Sequence, residues 1–178
     1  MKAKILQSNA KYGAKVDHLL LHLSKIPEEI LNRCPANGGW SAAQTAWHLI
    51  MVEELSFKYV QKKLGFGGSF EKVGLDGHWR SFWLKIALYL PIKFKAPATS
   101  GDNLPDKSSY AEISEHWKKT RETWTDFLEN LPVELEDKTV YKHPRAGRLG
   151  WIQMLSFFEE HFGRHQRQID RALIGAGV

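Results

Sequence analysis

The stretch "FFEEHFGRHQRQIDR", residues 157–171, carries two histidines four places apart in a segment of helical periodicity. Phe157 and Phe158 mark the face that turns toward a core. On a wheel of about 100° per residue, Met154, Phe157, Phe158, His165 and Gln168 all fall within about 60° of His161. Both imidazoles therefore occupy the middle of an apolar stripe. A buried polar ring is costly unless a hydrogen-bond partner or a metal ion satisfies its nitrogens. The four-residue spacing is the one that lets two imidazoles of one helix converge on a single ion.

Residues 41–64 show the same oddity. With His48 as reference, Ser41, Gln44, Met51, Val52 and Leu55 lie within about 60°, so His48 also points inward. Three inward histidines on two helices, with few other inward polar groups to pair with them, point to one shared divalent ion. Neutral imidazoles suit zinc first, then nickel or ferrous iron, and three protein ligands leave a position open for a small-molecule substrate. Cys34, before the second helix, is a weak candidate for a fourth ligand. The other histidines read differently. His18 and His22 are spaced alike but sit on the flank or surface of the first helix. His116 flanks the third-helix stripe as a half-exposed packing residue. His143, before a proline, shapes a turn and reaches toward the rim of the site, and His78 lies in a long connection without an assignable role.

Working outward, the first helix is expected over residues 9–24, with Tyr12, Val16, Leu19, Leu20, Leu23 and Ile26 at three- and four-residue steps. Ser41 caps the second, at 41–64, after the Gly38-Gly39 breaker. Residues 65–107, rich in Gly, Pro and Lys, read as a long connection holding one short helix at 79–90. The third helix starts at Ser108 or Ser109, carries Ile113, Trp117, Thr120, Trp124, Phe127, Leu128 and Leu131 on one stripe, and ends at Pro132. A turn containing "KHPRAGRLG" leads to the fourth, 151–174, closed by Gly175. Only "KTVY" has the character of a short extended piece. The expected fold is all-α, a four-helix bundle forming one domain over residues 1–178, with a long connection between its second and third helices.

Composition agrees. A chain of 178 residues with 43 % hydrophobic residues and seven Trp can bury a core of its own. The formal charge of +5 permits an anionic partner without requiring one. A single cysteine rules out an intrachain disulfide, and a cytoplasmic location is expected. The start "MKAKILQSNAKYG" lacks the apolar core of a secretory signal. The apolar run in "FWLKIALYLPIKFK", residues 82–95, is roughly half the ~20 residues that a spanning helix needs. Lys85 and Pro91 interrupt it, so a buried or interfacial segment is expected and no membrane span.

Two longer stretches carry a resemblance. "GGWSAAQTAWHL" entering the second helix, followed by "HPRAGRLGWIQMLSFFEEHFGRHQRQI" into the fourth, resembles the DinB-like superfamily of metal-dependent enzymes, and the order of motifs spans essentially the whole chain. The resemblance implies an up-down-down-up four-helix bundle, often dimeric, with a divalent metal held by His48, His161 and His165. Trp40 and Ser41 match the family's helix-entry motif and Gln168 its closing glutamine. Where activity is known, such proteins include thiol S-transferases and thiol-dependent isomerases that use bacillithiol, mycothiol or glutathione, and hydrolase activity is also proposed for them. Two departures stand out. Gly150-Trp151 opens the fourth helix where a Thr or Ser cap is commoner, and residues 65–107 hold no motif tied to a substrate.

The leading functional expectation is a metal-dependent, low-molecular-weight-thiol S-transferase, with the thiol as cosubstrate and a homodimer as the assembly. An open metal position binds a thiol or water and lowers its pKa toward neutrality. No Asp or Glu lies on the stripe beside the histidines, which favours a thiol over a hydrolase's water activated by a carboxylate. Gln44 and Gln168, one turn from ligands, are placed to orient a histidine or bond substrate. Arg164, with Arg167 and Arg171, starts a basic stripe about 60° from His161 that suits substrate carboxylates. The bland reading of that stripe is a solvated face on which Glu160 pairs with Arg164. A rival from another class, a non-catalytic nucleic-acid-binding protein using this stripe with Lys142, Arg145 and Arg148, lacks any helix-turn-helix, zinc-finger or RNA motif and is disfavoured.

Overall fold

The computed structural model describes residues 1–36, 38–67, 70–74, 103–143 and 147–177. Four long helices carry it: α1 (Lys2–Leu23), α3 (Ala42–Gly65), α4 (Tyr110–Glu129) and α5 (Trp151–Ala176), with a single-turn α2 (Glu28–Leu31) after α1. The starts of α3 and α4 follow from their sequences. Ser41 and Gln44 form a reciprocal capping box, as do Ser109 and Glu112, each satisfying two backbone donors that a helix start leaves orphaned.

Side-chain pairings along the helices fix their directions. Between α3 and α4, Trp47 meets His116, Thr120 meets Glu54, and Phe57 meets Trp124 and Phe127, so these two helices run the same way. Lys2 reaches Leu131 while Asn9 reaches Thr125, which makes α1 antiparallel to α4. Trp117 packs on Phe162, Trp124 on Phe158 and Phe127 on Trp151, so α5 is antiparallel to α4 as well. The bundle is therefore up-down-down-up. Because α3 and α4 are parallel, the chain between them must travel back along a helix of 24 residues, about 36 Å. That is the reason for the long connection. The segments 79–90 and 82–95 lie outside the described residues, and no described helix is long and apolar enough to cross a membrane.

Four expectations change. Helix α1 begins at Lys2, well before residue 9, because Ile5 continues the buried stripe and Asn9 is no cap; its side chain is directed across to α4. Helix α5 runs past Gly175 to Ala176 and is closed by Gly177 in the left-handed conformation, φ 101°. The stretch read mainly as turn forms a hairpin, β1 (Thr139–His143) with β2 (Gly147–Gly150), in which Tyr141 pairs with Leu149 and Lys142 with Arg148. Residues 71–73 bond its base: Thr139 N donates to the Glu71 carbonyl at 2.9 Å, and Val73 N to that of Asp137 at 3.0 Å. This packing also accounts for the bare start of α5. A Cβ on Gly150 would lie 2.4 Å from Val73 Cγ2, so a Ser or Thr cap does not fit.

The fourth correction concerns polarity. Buried polar groups are more numerous than the helix stripes imply. Glu53, 1 % exposed, accepts from Tyr12 Oη at 2.7 Å, Trp117 Nε1 at 2.8 Å and Arg121 Nη1 at 2.7 Å. Arg121 also bonds the side-chain and main-chain oxygens of Asn9 and lies 4.7 Å over the Tyr12 ring. One carboxylate thus ties α1, α3 and α4 together. Removing it alone leaves a guanidinium buried without its counter-charge, which costs about 3–5 kcal/mol. Glu53→Ala is expected to lower the denaturant midpoint accordingly, and a change below about 1 kcal/mol would contradict this role.

Candidate metal centre

The antiparallel contact between α3 and α5 sets His48, near the start of α3, against the middle of α5, where His161 and His165 stand one turn apart. The three ring centroids are 5.3, 4.7 and 4.5 Å apart, and one nitrogen from each ring can be chosen so that all lie within 4.8 Å of one another. His161 Nε2 and His165 Nε2 are 3.1 Å apart. Tetrahedral zinc with Zn–N of about 2.0–2.1 Å holds neighbouring ligand nitrogens about 3.3 Å apart, so this pair already has the spacing of two ligands.

The protonation states suit a cation. Burial, then the neighbouring imidazoles, holds His161 well below its ordinary range, and burial together with His48 lowers His165 to about 3. Both rings are neutral near pH 7 and keep a lone pair. His165 Nδ1 donates to Gln168 Oε1 at 3.0 Å, which leaves Nε2 as the lone-pair nitrogen aimed at His161. Among the described residues no carboxylate is among the charges acting on either ring; those acting are neighbouring imidazoles and Arg164. The donor set is thus three imidazole nitrogens, two of them on rings held neutral, which fits zinc, nickel or ferrous iron rather than an oxygen-seeking ion.

Aromatic rings wall the centre. Trp40 lies 4.9 Å from the His48 ring and 6.4 Å from that of His165, Phe157 stacks on His161 at 5.3 Å, and His143 packs on Phe157 at 4.5 Å. His143 therefore sits at the rim, where its charge acts on His161. The walling role of Trp40 and Phe157 was not legible from stripes alone, although Trp40 directly precedes the capped start of the helix that carries His48.

The remaining candidates separate clearly. Gln44 is a correction: its Oε1 accepts from Ser41 N at 3.1 Å and its Nε2 donates to the Pro105 carbonyl at 3.4 Å, so capping the helix draws it away from the imidazoles. Cys34 is exposed, with its thiol 3.7 Å from Gln44 Oε1 and not at the triad. His18 and His22 are exposed on α1. His116, more exposed than half-exposed, bonds the Glu112 carbonyl and packs on Trp47. Arg164 is half-buried beside the triad, its guanidinium lowered from the ordinary value by burial and by Arg167 and Arg171. His78 and Arg145 lie outside the described residues.

The lowered histidines set a pH dependence for the metal-free protein. Unfolded imidazoles take up protons near pH 6.5, whereas folded His165 does so only at about 3, so the unfolded chain holds more protons between these values. Stability contributed here is intact above about pH 6.5 and is lost as pH falls. Melting of the chelated protein is expected to drop between pH 6.5 and 4, with a shallower drop in His165→Gln; equal slopes would contradict the assignment.

A model of the DinB superfamily matches residues 15–169. No curated protein and no solved structure matches the chain.

Proposed function

The chain belongs to the DinB superfamily, and from that membership and the histidine triad we propose a metal-dependent enzyme in which His48, His161 and His165 hold one divalent ion, zinc as first choice. Bound there, the ion supplies Lewis-acid chemistry and lowers the pKa of a coordinated thiol or water toward neutrality. The reaction we assign is S-transfer of a low-molecular-weight thiol to an electrophile. The observation that carries the choice of a thiol over hydrolysis is the set of charges acting on His161 and His165: neighbouring imidazoles, His143 among them, and Arg164, with no carboxylate among the described residues to draw a proton from water. A thiol needs no such base, because its ordinary pKa of about 8.5 is already close to neutrality.

The chain's own groups have distinct tasks in this reading. Gln168 holds His165 in the tautomer that presents Nε2. Trp40 and Phe157 exclude water on two sides of the imidazoles, and Arg164 offers positive charge to an anionic reactant beside them. Metal analysis separates these roles. His161→Ala is expected to remove most of the bound zinc and His18→Ala none. Gln168→Ala should weaken zinc binding about 10–100-fold, as loss of a ligand-orienting partner does. Gln44→Ala should lower stability by about 1 kcal/mol without touching zinc affinity. Equal zinc content in the His161 and His18 variants would overturn the ligand set. Zinc-loaded protein without turnover on any thiol and electrophile pair would overturn the S-transfer reading alone.

A further inference from the structure

A cavity of about 230 Å³ opens between α3 and the hairpin, lined by Tyr59, Lys63, Thr139, Tyr141, Lys142 and Arg148. Three of these are cations, and among the described residues no carboxylate lines it. Lys142 and Arg148 are direct cross-strand partners, a placement that puts like charges face to face and destabilises a hairpin unless something negative sits between them. Glu71 lies 3.5 Å from Arg148 with both side chains largely exposed, and such surface pairs contribute little. Tyr141 adds a donor. The Ser56 hydroxyl donates to Tyr141 Oη at 3.2 Å, and no described group accepts the phenolic proton of this nearly buried residue.

We propose that this pocket binds an oxyanion, the carboxylate or phosphate group of a small molecule, between Lys63, Lys142, Arg148 and the Tyr141 hydroxyl. Its volume is below the roughly 300–1,000 Å³ of sites that enclose a drug-sized ligand, so it suits one charged group rather than a whole cofactor. It is separate from the triad. Tyr59 follows His48 by eleven residues on the same helix, about 16 Å at 1.5 Å per residue. The inference therefore stands without the metal assignment.

The test is a titration of zinc-loaded protein with inorganic phosphate at constant ionic strength, read by backbone amide NMR shifts of Tyr141, Lys142 and Arg148. Saturable shifts are expected in wild type and in Lys118→Gln, a charge change on the exposed face of α4. The double variant Lys142→Gln/Arg148→Gln should bind phosphate roughly tenfold or more weakly, with its fold and zinc content unchanged. His161→Ala should retain the shifts, which separates this pocket from an anion held at the metal. Absence of saturable shifts in wild type, unchanged affinity in the double variant, or loss of the shifts in His161→Ala would each overturn the proposal.

Discussion

Three imidazoles are packed edge to face inside a helical bundle, two of them with facing nitrogens 3.1 Å apart. That constraint governs the rest of the site. Burial and mutual proximity make a proton on His161 or His165 unfavourable, so their lone pairs remain unprotonated at neutral pH. A divalent cation satisfies all three at once, whereas hydrogen bonds among the rings satisfy them only in pairs. Gln168 completes the arrangement by taking the far proton of His165.

The topology explains why the rings meet. Parallel α3 and α4 require a long return connection, and the two capping boxes begin these helices at the same end of the bundle. Antiparallel α5 then brings its middle turns to the first turns of α3. Five residues beyond His48, on another face of α3, Glu53 gathers Tyr12, Trp117 and Arg121 from the neighbouring helices. The bundle thus holds two polar centres of opposite design. One neutralises its charge internally and fastens helices together; the other is left neutral and open to an ion.

Much of this was legible in the sequence because helical periodicity is a local signal. The wheels through His48 and His161 needed only a few neighbouring residues each, and the structure brings those two and His165 together. The Glu53 cluster escaped because its members, Glu53 included, come from three helices, so no single wheel displays them. Arg121 carried a usable hint: it lies four residues after Trp117 and three before Trp124, on the buried side of α4. Gln44 misled for the opposite reason. It shares the His48 face, but the orphaned backbone donors of the first turn compete for its amide and win. The hairpin was obscured because Val140 and Tyr141 are both buried, which erases the alternation that marks a strand with one solvent face.

X-ray absorption at the zinc edge of the loaded protein tests the central claim most directly. The account requires stoichiometric zinc with three imidazole nitrogens at about 2.0–2.1 Å and no sulfur from the chain. A shell containing Cys34 sulfur, fewer than three imidazoles, or zinc held only at substoichiometric levels would contradict it.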